Sequence, residues 1–76
     1  MIPVVIPPDL WEGEAEGAVS AWLFADGDAV REGDLIAEVM VEKTSYDVNA
    51  PVSGTLQIRI PAERPFKRGA IIAAIG

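Results

Sequence analysis

A chain of 76 residues is one domain, which at this size buries roughly 60% of the surface its unfolded form exposes: room for one thin core, not for a deep catalytic cleft. Half of it is apolar, as a folded domain requires, and it holds no cysteine and no histidine, which excludes disulfides and thiolate metal sites and removes the commonest general base. The formal charge of −6 would repel a phosphate backbone, so nucleic acid is not an expected partner.

The N-terminal stretch MIPVVIPPDL has no basic residues ahead of its apolar ones, so it is not a signal peptide. Its apolar run is broken at Pro7-Pro8. No apolar run approaches the ~18 residues of a membrane span. Next come VSAWLF, LIAEVMV and TLQIRI, which alternate or nearly alternate between apolar and polar residues. Gly and Pro break the chain at short intervals, and no segment offers a helical period. Short strands with regular turn signals predict an all-β fold, a small sandwich or flattened barrel of antiparallel sheets.

The sequence also repeats itself. Gly17 to Val39 aligns with Gly54 to Ile75. Gly17 matches Gly54, and Val19, Ala21 and Leu23 match Leu56, Ile58 and Ile60. After a one-residue gap, Val30 matches Phe66, Gly33 matches Gly69, and Leu35-Ile36-Ala37 match Ile71-Ile72-Ala73. The repeated unit is strand, turn, short strand, glycine turn, strand. Two such halves predict a pseudo-twofold sandwich in which each half feeds both sheets. The core is expected to come from Val4, Ile6, Val19, Ala21, Leu23, Val30, Leu35, Val39, Val48, Val52, Leu56, Ile58, Ile60, Phe66, Ile71 and Ile75. The last apolar run, AIIAAIG, reads as the final strand.

Between the halves lies MVEKTSYDVNAPVS. With Glu42-Lys43 as the centre of a tight turn, Val41 faces Thr44, Val39 faces Tyr46 and Ala37 faces Val48, giving one mostly apolar face. Met40 then faces Ser45, Glu38 faces Asp47 and Ile36 faces Asn49 on the polar face. A slip of one residue would mix the two sets. Two-residue hairpins favour Asn-Gly or Asp-Gly because the turn needs positive φ. Glu-Lys offers no such relief, so a splayed type I turn or a loop one residue longer is expected. Folding preference alone does not explain the lysine. An exposed lysine on a protruding hairpin can be enclosed by another enzyme, and acylation of its amine deletes the charge. A catalytic lysine would instead be desolvated.

The carboxylates do not suggest a site. Eleven of the twelve acids lie in residues 1–50, a solvated face or one that steers partners. Those in ADGD and REGD read as turn-forming aspartates. A calcium loop would need further ligands at a spacing that is absent here. Trp22, on an alternating strand, is expected to cover a sheet face.

Taken together, PDLWEGEAEG, WLFADGDAVREGDLIAEV and VEKTSYDVNAPVSGTL resemble a lipoyl domain of the 2-oxo acid dehydrogenase complexes, part of the biotinyl/lipoyl carrier family. The resemblance runs from about Val4 to Gly76. Lys43 stands sixteen residues after Gly27 and eleven before Gly54, the family's spacing. Residues 1–76 would then be a single carrier domain with the barrel-sandwich hybrid fold. Lys43 would carry lipoic acid in amide linkage, with Glu42 and Thr44 flanking it for recognition where the family usually has Asp and Ala. A lipoate ligase or lipoyl transferase would attach the group. The arm would collect acyl groups at a thiamine-dependent decarboxylase and deliver them to coenzyme A at an acyltransferase. A flavin-dependent dihydrolipoamide dehydrogenase would reoxidise it. The domain itself would be a carrier without catalytic residues, within or beside a dihydrolipoamide acyltransferase. It would be monomeric and off the membrane, in the cytoplasm or, in a eukaryote, the mitochondrial matrix. The 2-oxo acid, or acetoin-type substrate, would be chosen by the decarboxylase. In the same resemblance Trp11 stands where the family often has glycine, either closing the open end of the sandwich or meeting a partner. Two rivals share the fold. A biotin carrier typically has methionine on both sides of its lysine, whereas here Met40 sits three residues early. An unmodified interaction module would leave Lys43 incidental.

Overall fold

The computed structural model describes residues 1–76. It is all-β, with seven strands: β1 (Ile2–Val5), β2 (Ala18–Trp22), β3 (Ala29–Val30), β4 (Leu35–Val41), β5 (Thr44–Asn49), β6 (Gly54–Ile58) and β7 (Ile71–Ile75). They form one antiparallel sheet in the order β1-β7-β6-β3 and another in the order β2-β4-β5. Val4, Val19, Ile36, Val39, Leu56, Ile72 and Ile75 point inward from the two sheets and are buried. At ~25 cal/mol per Å² of apolar surface, that shared layer drives the packing of one sheet on the other.

The internal repeat is written in the hydrogen bonds. Gly27 N–H donates to the Leu56 carbonyl at 2.7 Å, and the repeat-equivalent Glu63 N–H donates to the Val19 carbonyl at 2.9 Å. Val30 pairs with Gly54 between β3 and β6. Its counterpart Phe66 pairs with Gly17 as an isolated bridge. Each half therefore sends one short extended piece across to the other half's sheet, as the repeat predicts. The turns match as well: φ is +91° at Gly27 and +68° at Glu63. The second half thus keeps a left-handed turn although glutamate stands where the first half has glycine.

Three expectations need correction, and each traces to a β-bulge, an extra residue that reverses the in-out phase of a strand. Ile36 does not face Asn49; Leu35 does, and the register shifts between Leu35 and Ala37. Ile36 is the extra residue, and its side chain turns fully into the core. The repeat does the same between Ile71 and Ala73, where β1 shifts register between Val4 and Val5. Ile72 goes inside and Ile71, expected in the core, is left 51% exposed. On β2 the shift between Val19 and Ala21 moves Leu23 outward to 48% exposure. Trp22 and Phe24 pack against the core instead. Ala21, Leu35, Val48, Val52, Ile58 and Ile60 are only half-buried.

The turn aspartates do what aspartates do in turns. Asp28 accepts from Ala25 N–H and Asp34 from Arg31 N–H, both at 2.9 Å, while Asp26 accepts from Ile58 N–H at 2.8 Å. These carboxylates are turned onto backbone amides. Trp22 Nε1–H donates to the Ile60 carbonyl at 3.1 Å, tying the first half to the second.

Candidate functional site: the β4–β5 hairpin

The hairpin is the longest strand pair in the molecule and its register is the expected one from the tip inward. Val41 pairs with Thr44, Met40 with Ser45, Val39 with Tyr46, Glu38 with Asp47 and Ala37 with Val48. Two residues, Glu42 and Lys43, make the turn. The turn is therefore neither longer nor relaxed. Glu42 takes φ +55°, and it and Glu63 alone among non-glycine residues have positive φ. The expectation of a splayed type I turn or an added residue fails because the twist of two long paired strands demands a primed turn. The chain meets that demand by straining Glu42, at a cost of order 1 kcal/mol or more.

Lys43 is exposed, and so are Glu42, Thr44 and Ser45. Glu42 and Thr44 stand directly beside the lysine in the chain. Met40 does not; its thioether accepts the Ser45 hydroxyl at 2.8 Å on the outer face. What supports the tip lies below it. Val41 is buried and Tyr46 half-buried. Trp11 packs beneath them: its ring lies 6.1 Å from that of Tyr46, at 33°, and its Nε1–H donates to the Ala15 carbonyl at 2.8 Å. With 7% of its surface exposed, Trp11 is first a core residue, in keeping with a structural cap. Gly17 makes this packing possible. A Cβ there would lie 3.1 Å from Trp11 Cη2, 3.2 Å from Val41 Cγ2 and 3.3 Å from Phe66 Cε1.

Tyr46 was legible from the sequence as an inward position on β5. Gly17 and Phe66 were legible as repeat partners, though not as the floor of a site. Arg68 carries no sequence signal of a role at the hairpin, yet its guanidinium donates to the carbonyls of Pro8 and Trp11 at 3.1 and 3.0 Å. Trp11 buried beneath a half-buried Tyr46, a strained two-residue turn and an exposed lysine at its end together set a primary amine out where another protein can enclose it. That arrangement suits covalent attachment of a group whose chemistry is done elsewhere.

Comparison with known proteins agrees with this reading. The family described as "Biotin-requiring enzyme" matches residues 3–75. The chain is 40% identical over 50 residues to the dihydrolipoyllysine-residue acetyltransferase component of the pyruvate dehydrogenase complex of Staphylococcus epidermidis, covering 66% of this chain and 12% of that protein. The corresponding component from Staphylococcus aureus strain Mu50 matches with the same identity and coverage. The chain thus spans about an eighth of the length of these relatives, 12%. No solved structure matches. Fold, hairpin and family match together place the chain in the biotin/lipoyl carrier-domain family.

Proposed function

We propose that this chain is a lipoyl carrier domain and that Lys43 is its attachment site. The observation that carries the proposal is the hairpin register. It sets Lys43 as the second residue of a two-residue turn, exposed, at the end of the longest strand pair. The residues fit the group. An exposed primary amine can form the amide, and the flanking Glu42 and Thr44 are exposed for a ligase to read. Bound there, lipoate would supply a dithiolane that accepts an acyl group together with two electrons. The chain's own contribution is positional: the strained turn holds the amine away from the sheet surface, and the Trp11–Tyr46 floor stiffens the base.

Lipoate is favoured over biotin by the relatives, named as dihydrolipoyllysine-residue acetyltransferase components. It is favoured also by Met40, which is committed to Ser45 on the outer face. By this reading the partners are a lipoate ligase or transferase, a thiamine-dependent decarboxylase, an acyltransferase and dihydrolipoamide dehydrogenase, in the compartment that houses such a complex. Purified chain would be incubated with ATP and either lipoate plus lipoate ligase or biotin plus biotin ligase. Fast lipoylation that disappears in Lys43→Ala, with little biotinylation, is expected. Preferential biotinylation would move the chain to the biotin carriers.

A further inference from the structure

Arg68 sits where the chain returns from Phe66 to β7, and its backbone is anchored on both sides. Phe66 exchanges two hydrogen bonds with Gly17, at 2.8 and 2.9 Å, and the Ala70 carbonyl accepts Ile6 N–H at 2.9 Å. From this base Arg68 Nη1 donates to the carbonyls of Pro8 and Trp11 at 3.1 and 3.0 Å. No other donor of the chain bonds either carbonyl. These are charge-assisted bonds from a planar, preorganised head, the kind that orders a segment otherwise lacking strand pairing. The ordered segment ends in Trp11, which lies in the core cluster beside both arms of the hairpin. Its ring lies 6.1 Å from Tyr46 on β5. It also shares with Val41 on β4 the space beside Gly17.

We propose that Arg68 is a positioning residue for Lys43. By holding two carbonyls of the loop between β1 and β2, it sets Trp11 against both arms of the hairpin. It thereby fixes how rigidly the lysine is presented to a modifying enzyme. The proposal deepens the carrier reading and rests on it for its functional half, while its structural half stands on the hydrogen bonds alone. Lys67, next in the chain and without such bonds, supplies an internal control for charge.

The test compares the whole chain with Arg68→Met, Arg68→Lys and Lys67→Met. Amide hydrogen exchange is measured by NMR at residues 42–46 and through β6 and β7, with the Trp11–Tyr46 NOE. Apparent KM and kcat are then measured for lipoylation by lipoate ligase. In Arg68→Met, hairpin exchange is expected to quicken about tenfold. The NOE weakens, and KM rises several-fold with kcat held, while β6 and β7 keep their protection. Arg68→Lys recovers most of each effect, and Lys67→Met behaves as the parent. If Arg68→Met does not fold, Arg68→Gln, whose amide is too short to reach both carbonyls, is expected to give the same loosening. Parental hairpin exchange, NOE and KM in the Arg68 variants would overturn the proposal, as would an equal effect from Lys67→Met. A hairpin that loosens on loss of Arg68 in a chain that never accepts lipoate would reject the carrier reading and leave the positioning role standing.

Discussion

The β4–β5 hairpin and the β7–β1 strand pair are repeat-equivalents, and they differ in one instructive way. Ala37 pairs with Val48 where Ala73 pairs with Val4; Val39 pairs with Tyr46 where Ile75 pairs with Ile2. Both carry the same bulge, at Ile36 and at Ile72. Beyond Val39 they part. The hairpin runs on through Met40 and Val41 and is closed by Glu42-Lys43, whereas β7 and β1 lie side by side with no loop joining them. The sandwich therefore needs a strand pair at this position but not a connection. Whatever closes the hairpin is free to serve something other than folding, and there the chain places a strained glutamate and an exposed lysine.

The equivalence of the two strand pairs is tested hardest at their bulges. Ile36→Ala and Ile72→Ala each remove a fully buried side chain and should each cost roughly 2–5 kcal/mol in urea unfolding. Similar costs would support equivalent halves; a cost below ~1 kcal/mol at one of them would show that the repeat is not mechanically symmetric. Next in size is Gly17→Ala. Its new methyl would press on Trp11, Val41 and Phe66, costing about 1–3 kcal/mol and altering Trp11 fluorescence. An unchanged melting temperature and spectrum would mean that the floor of the hairpin is loosely packed. A smaller effect is expected from Glu42→Gly. Relief of the positive φ at +55° exceeds the added unfolded-state entropy, for a gain below about 1 kcal/mol. A clear loss of stability would show that the glutamate side chain supports the turn. Smallest of all is Lys43→Ala, expected to stay within ~0.5 kcal/mol of the parent in a thermal melt while abolishing modification. Unfolding of that variant would refute the idea that the tip is free of folding duties.

Much of this architecture is legible in the residues alone. The repeat from Gly17 to Val39 and Gly54 to Ile75 marks the halves, and alternation across Val41–Thr44 to Ala37–Val48 sets the hairpin register. The bulges are not legible. In Leu35-Ile36 and Ile71-Ile72 two apolar residues are adjacent, and alternation cannot say which one turns inward. Leu23 is misplaced for a related reason, since the extra residue on β2 is the polar Ser20, which leaves no mark on the apolar pattern. Turn chemistry misleads at Glu42: the local preference against positive φ in glutamate is real, but the paired strands outweigh it. Lys43 stands out because no folding rule requires it. Arg68 does not, because its role is a pair of bonds to carbonyls about sixty residues away in sequence, and long-range side-chain bonds of that kind have no sequence signature.

If the closing loop of the hairpin exists to carry lipoate on Lys43, the group itself is the thing to look for. The decisive measurement is the intact mass of the chain made in cells supplied with both lipoate and biotin, followed by peptide mapping. A single lipoyl group is expected on the peptide containing Lys43, absent from Lys43→Ala, with Lys67 bare. A bare Lys43 despite excess lipoate ligase, or the group on Lys67, would contradict the carrier role of the tip.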